Sequence, residues 1–241
     1  MRGGVLIIGS LLWDNGQRGT WRRRHLRVDE KVHVKAPIRY GRRSKLRGNT
    51  FTMTFAPDPP LGQAVLVPCA ARIEDIRGLV AEAEALWKTE QPNALPSAIG
   101  ATWGCVGLLF RIQGPPLDWR REWAKHFREK TPASPVNNCG LLGIPWPTRA
   151  RDNDPVDLDM ILATATRAQS QAPTAEAIAD AWVDRHVGHE RYFFENVRHG
   201  IRTPDDGLIW KRIEGRQPQW LNDNAYSEAI CLLRSEVTLD V

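Results

Sequence analysis

His186 and His189 stand three apart in a segment whose apolar residues recur at helical spacing, and Glu190 and Glu195 follow closely. Imidazoles and carboxylates on one helix face are zinc-type ligands. The order is not His-Glu-x-x-His and no cysteine lies near, so a polar helix face is the preferred reading, and no metal or other cofactor is expected. Cys139, in Asn137-Asn138-Cys139-Gly140, would be a nucleophile only with a distant histidine as base, and a chain with six histidines always permits that pairing. Ser10 lacks the Gly-x-Ser-x-Gly spacing of a nucleophile elbow. The run from His199 through Gly200, Ile201, Arg202, Thr203, Pro204 and Asp205 to Asp206 is a rigid turn dense in polar groups, read as a capping turn.

Charge is the strongest compositional signal. The chain of 241 residues carries a net charge of +5, and much of the surplus falls between Arg18 and Arg47, where only Asp29 and Glu30 oppose a dozen basic side chains. Such a surplus suits a small anion or nucleic acid. A solvated arginine-rich face is the preferred reading, and a nucleic-acid partner is not expected. The ten tryptophans lie in apolar contexts and are read as core.

The elements that must position these groups follow from periodicity. Residues 4–12 open with the continuous apolar run Val5, Leu6, Ile7 and Ile8, which suits a strand buried on both faces, broken at Gly9 and Ser10. Residues 31–38 and 50–55 alternate as half-buried strands, with a basic loop over 40–49 between them. A turn at 57–60 leads to a strand over 62–70, where Pro68 marks an edge or bulge. Over 73–90, Ile76, Leu79, Val80, Ala83, Leu86 and Trp87 define an amphipathic helix that Pro92 ends. Residues 102–113 read as a long central strand. Beyond Pro116, helices are expected over 118–129, 157–168 and 174–198, with Asp118 and Thr174 as caps. Residues 131–147 read as loop, 203–207 as a turn, and 208–239 as one or two strands with a short helix.

The class expected is α+β, with a core over residues 1–115 and a helix-rich part over 116–241 packed on it as one unit. No stretch reaches the roughly 20 apolar residues of a membrane span, and residues 5–12 read as strand rather than secretory signal. Cys69, Cys105, Cys139 and Cys231 form no Cys-x-x-Cys pair, which points to a reducing cytoplasm. The oligomeric state is open.

The turn Gly9-Ser10-Leu11-Leu12-Trp13, after a buried strand and before further strands and one helix, resembles the signature of the γ-glutamylcyclotransferase-like superfamily. Its glutathione-degrading branch often has tryptophan at the position of Trp13, and the basic stretch over 38–55 resembles that branch's arginine-rich strand pair. The resemblance covers roughly residues 4–113. It implies a small mixed β-barrel flanked by helices, with the Gly9, Ser10 and Leu11 amides at the substrate's glutamyl end and Leu12, Trp13 and Arg39 around it. Glu90, at the helix end, takes the general-base role, with Glu84 and Glu82 as weaker matches. Ile8 stands where the family usually has tyrosine, and Gln91-Pro92 where glycine is typical.

The reaction implied is attack of a γ-glutamyl substrate's own α-amine on its γ-carbonyl, releasing 5-oxoproline and an amine. Deprotonating the amine needs a carboxylate within hydrogen-bond reach. The tetrahedral oxyanion needs donors, each backbone N–H giving roughly 3 kcal/mol. A small γ-glutamyl molecule is the partner this implies. The alternative is the same fold without catalysis, binding a small anion or nucleic acid.

Overall fold

The opening apolar run forms β1 (Gly3–Ile7), every residue of it buried. The structure is a computed structural model and describes residues 1–56, 60–111, 116–127, 135–184 and 188–237. After β1 come α1 (Gln17–His25), β2 (Val32–Ala36), β3 (Ile38–Ser44), β4 (Thr50–Phe55) and β5 (Gly62–Pro68). Then follow α2 (Ile76–Glu90), β6 (Gly100–Ala101), β7 (Gly104–Phe110) and α3 (Leu117–Lys125). The second half adds β8 (Thr148–Arg149), β9 (Met160–Thr166), α4 (Ala175–Val183), α5 (Arg191–Arg198), α6 (Asp206–Arg216) and α7 (Ser227–Val237).

The chain is α+β. Seven strands form one mixed sheet in the order β6-β7-β9-β1-β5-β2-β8, and β3 and β4 pair as a separate antiparallel hairpin. No closed barrel is found among the described residues: β6 and β8 are open edges, and the hairpin packs against β5 and β9 instead of bonding those edges together. All six residues of β4 are buried, with the sheet and α4 both packed against it. Helix α2 packs on β7 and β9, with α1 and α3 beside it.

Helix α2 forms for the reasons its sequence states. The Asp75 carboxylate accepts from the N–H of Gly78 at 2.7 Å, capping the first turn. Leu79, Ala83, Leu86 and Trp87 supply the buried stripe, and Pro92 stops continuation two residues after Glu90.

Several expectations are corrected. Residues 160–166 are strand β9, not helix; they pair parallel with β1 and antiparallel with β7. Met160 through Ala165 are buried, so both faces are apolar and the alternation that marks a strand is missing. Insertion of β9 between β1 and β7 also carries the sheet across the division expected at residue 115. The long strand near residue 107 lies next to the sheet edge, whereas β5, with Pro68 as its last residue, is flanked on both sides by β1 and β2.

The basic loop expected over 40–49 is strand as far as Ser44. The helix expected over 174–198 is two helices, α4 and α5, with Gly188 at a positive φ of 103° between them. The tail expected to contain strands is helical through α6 and α7. Asp118 is inside α3 rather than its cap, which is Pro116. Residues 57–59 of the turn expected at 57–60, the helix end at Glu129, His186 and the last residues of the tail lie outside the described residues.

One long-range clamp and one local one fix the site end of the sheet. Gln63 on β5 and Arg202, between α5 and α6, exchange backbone hydrogen bonds of 2.8 Å each. A Cβ at neighbouring Gly62 would stand 2.3 Å from the Arg202 carbonyl oxygen, so only glycine allows that approach. Buried Arg22 of α1 donates through Nη1 to the carbonyls of Leu11 and Asp14, holding the turn that follows β1. Burial pulls its guanidinium pKa down, opposed by Asp14.

Candidate functional site

A cavity of about 610 Å³ opens at the end of β1, within the size range of small-molecule sites. Gly9, Ser10 and Leu11 form one wall, Glu90 and Gln91 at the end of α2 another, and Arg42, Ser44, Arg47, Thr52 and Met53 of the hairpin a third. Arg18, Trp103, Thr164, His189 and Tyr192 also line it.

The turn is built as one helical turn. Leu12 donates its N–H to the Gly9 carbonyl, and Trp13 and Asp14 donate theirs to that of Ser10. The N–H groups of Ser10 and Leu11 donate to no described residue, as expected for the first amides of a helical turn.

Arg18 ties the turn to the carboxylate. Its Nη1 donates to Ser10 Oγ at 2.7 Å, and its Nη2 to Glu90 Oε2 at 2.7 Å. Asp14 Oδ2 lies 3.2 Å from Nη1. Arg47 Nη2 donates to the same Ser10 Oγ at 3.1 Å. With both lone pairs of the hydroxyl engaged by guanidinium donors, the Ser10 O–H is left to donate. Glu90 Oε1 has no hydrogen-bond partner among the described residues and is the oxygen left to accept a proton.

The arginines sit on aromatic faces. The Cζ of Arg47 lies 4.7 Å from the Tyr192 ring centroid and 6.0 Å from that of Trp13, and the Cζ of Arg42 lies 4.6 Å from that of Trp103. Burial pulls the guanidinium pKa of Arg42 and of Arg47 down; Glu90 counteracts this for Arg42, and Tyr192 does so for Arg47. Burial pushes the Tyr192 phenol up, so its O–H stays protonated near neutrality. Tyr192 Oη accepts from the N–H of Met53 at 3.3 Å.

Helix α5 brings Tyr192 here because Tyr192 and Asn196 are one turn apart on the same face. Trp13 Nε1 donates to Asn196 Oδ1 at 2.8 Å, binding the turn to the C-terminal half. Behind that face, Phe194 stacks on Tyr226, in the turn just before α7, at 4.2 Å between centroids.

The expected site residues are thus sorted. Gly9, Ser10, Leu11 and Glu90 share the cavity wall. Leu12 is buried in the core, and Trp13 packs behind Tyr192 and Arg47 rather than on the wall. Glu84 is half-buried and does not line the cavity; six residues before Glu90, it points about a third of a turn away. Glu82 Oε2 pairs with His25 Nδ1 at 3.0 Å. Arg39 is half-buried on β3, does not line the cavity, and its Nε has no partner among the described residues.

Residues that sequence reasoning left out of this site are Arg18, Arg42, Arg47, Trp103, Thr164 and Tyr192, and His189, weighed there only as a metal ligand, lines the cavity. The charge run between Arg18 and Arg47 was the available signal. Reading it as a solvated face is corrected for Arg18, Arg22, Arg42 and Arg47, which are buried or half-buried.

Among the described residues, no group of three His, Cys, Asp or Glu side chains is placed to hold a metal, and no helix is long and apolar enough to cross a membrane. Cys139 is exposed, and the N–H of that residue donates to Asn137 Oδ1. No protein-family model matches this chain, and no curated protein or solved structure matches it.

Proposed function

We propose that the chain is a γ-glutamylcyclotransferase-like enzyme that releases 5-oxoproline from a γ-glutamyl amine or peptide. The observation that carries this reading is the shared cavity: Gly9, Ser10 and Leu11 after β1 and Glu90 at the end of α2 line one space, and Arg18 bonds Ser10 Oγ and Glu90 Oε2 across it. The finer fold assignment belongs to the same proposal. Strand, Gly-Ser-Leu turn, arginine-rich strand pair and glutamate-ended helix follow in the family's order, with the hairpin β3–β4 laid on the sheet.

In this reading the substrate's α-carboxylate binds the Ser10 and Leu11 amides and draws Arg18 to itself, releasing Glu90. Glu90 then accepts the proton from the α-amine as its nitrogen bonds to the γ-carbonyl carbon, closing a five-membered ring. The oxyanion formed is met by the Ser10 hydroxyl and the cavity arginines. Collapse breaks the bond to the leaving nitrogen, which takes the proton back from Glu90. A group held in this geometry needs no second reactant, so positioning supplies much of the acceleration.

One observation favours a second reading, a small-anion binding module: Arg18 already occupies Glu90, and three arginines line a cavity with a single carboxylate. The two are separated by incubating the protein with γ-glutamylalanine and glutathione and measuring 5-oxoproline. Glu90→Gln should lower release by 100-fold or more, the scale of general-base catalysis, with the circular dichroism spectrum intact. Release that persists in the variant overturns the base assignment; no release from the wild-type chain, together with glutamate binding, favours the module.

A further inference from the structure

Tyr192 holds a proton for which the described residues offer no acceptor. The residue lines the cavity at 5% exposure, with the Arg47 guanidinium 4.7 Å over its ring and the rings of Trp13 and Tyr40 at 6.0 and 6.4 Å between centroids. Its hydroxyl oxygen accepts the Met53 N–H at 3.3 Å, and no described residue accepts the hydroxyl's own hydrogen. Burial pushes the phenol pKa up; the Arg47 guanidinium, the Met53 N–H and the Asn196 amide, all donors, pull against it, and Glu90 adds to the push. Asn196 cannot readily take the proton: its Oδ1 is engaged by Trp13 Nε1 at 2.8 Å, and its Nδ2 is a donor with no partner among the described residues. The phenol therefore keeps its proton near neutrality and has nowhere to give it. A buried O–H in that state costs free energy until an acceptor arrives.

Where this O–H sits indicates which acceptor it meets. Its oxygen lies against Gly9, since a Cβ there would stand 2.5 Å away. Gly9 opens the turn whose next two amides, of Ser10 and Leu11, also donate to no described residue. Helix α5 thus brings a third donor to a turn that follows β1. A carboxylate offers two oxygens and about four lone pairs, more than two amides fill. We propose that the Tyr192 O–H binds the α-carboxylate of the γ-glutamyl group beside the Ser10 and Leu11 amides, and that it helps to set the requirement for a free α-carboxylate. This rests on the cyclotransferase reading for the identity of the ligand and adds to it a binding residue from the C-terminal half of the chain.

L-Glutamine and L-isoglutamine test this, being isomers of equal charge. Glutamine keeps the α-carboxylate, and isoglutamine has an amide there with its free carboxylate at the γ end. In calorimetric titration the wild-type chain should bind glutamine about tenfold tighter or better. In Tyr192→Phe, which keeps the ring, glutamine affinity should fall about 10- to 100-fold, the worth of a hydrogen bond to a charged group, while isoglutamine affinity stays within about threefold. The preference is a ratio within one preparation, so a partly misfolded variant does not mimic the result. The wild-type chain labelled isotopically at tyrosine Cζ gives a second readout by NMR. Of its three tyrosine signals, assigned by elimination in Tyr40→Phe and Tyr226→Phe, that of Tyr192 should move with glutamine and not with isoglutamine. Equal losses for both isomers, or a Tyr192 signal that ignores glutamine, overturn the inference. With γ-glutamylalanine, Tyr192→Phe should raise KM and leave kcat within a few-fold; a fall in kcat at constant KM overturns the carboxylate assignment, since it places the O–H on the oxyanion. Binding of neither isomer by the wild-type chain also overturns the inference. Glutamine binding without 5-oxoproline release from any γ-glutamyl substrate ends the cyclotransferase reading alone, and the isomer preference then still decides the role of Tyr192.

Discussion

The hydroxyl oxygen of Tyr192 stands 2.5 Å from the point a Cβ on Gly9 would occupy. The requirement for glycine after the first strand is therefore set by a side chain 183 positions later, not by the turn's own backbone. Gly9→Ala must push Tyr192 away and break its bond with the Met53 N–H. An overpacking cost of about 1–3 kcal/mol is expected in urea denaturation. Tyr192→Phe removes the clashing oxygen, so adding Gly9→Ala in that background should cost visibly less; additive costs would show that the two residues do not meet.

Arg18 contacts both sides of the cavity through separate nitrogens. Arg18→Gln should raise KM for a γ-glutamyl substrate by about 10- to 100-fold, the scale of a charge-assisted hydrogen bond to carboxylate, with kcat changing by only a few-fold. A fall in kcat with KM constant would instead assign Arg18 to the transition state alone.

Trp13 acts through Asn196, which is fully buried. Trp13→Phe keeps an aromatic ring, though a smaller one, and leaves the Asn196 acceptor unsatisfied, which costs about 1–3 kcal/mol before the lost volume is added. The urea midpoint should fall with an unchanged m-value, because the same surface is exposed on unfolding. An unchanged midpoint would mean that water replaces the indole donor.

Asp206, 1% exposed, should make stability fall as pH rises. Burial pushes its carboxyl from 3.8 up to about 6, against the opposing pull of Arg202, whose Nε lies 2.9 Å away, and of Thr203. The folded chain thus holds a proton that the unfolded chain has lost between those values. Its contribution to stability is complete below about pH 4 and is lost as pH rises through 6, a difference of at most ~3 kcal/mol. Denaturation midpoints across pH 4.5 to 7 should fall more steeply in the wild type than in Asp206→Asn. Parallel curves would show that Asp206 does not titrate there.

Legibility followed the range of the interaction. The amphipathic stripe of α2, its Asp75 cap and its Pro92 stop lie within one short segment, so the helix and the position of Glu90 at its end could be read directly. The same locality failed for β9, whose apolar residues are covered on both faces and show no alternation. It failed again for the arginines, since a basic run reads alike whether it faces water or a cavity.

By itself the sequence determined the first strand, the break at Gly9 and Ser10, the helix that ends at Glu90, and the α+β class, because turn chemistry and side-chain periodicity act between near neighbours. Only the tertiary structure decided that Arg18, Arg47 and Tyr192 converge on that break, that β9 enters the sheet between β1 and β7, and that the strands stay open at β6 and β8. Those outcomes depend on which surfaces exclude water from one another, and partners such as Trp13 and Asn196 or Gln63 and Arg202 are brought together by packing across more than a hundred residues of chain.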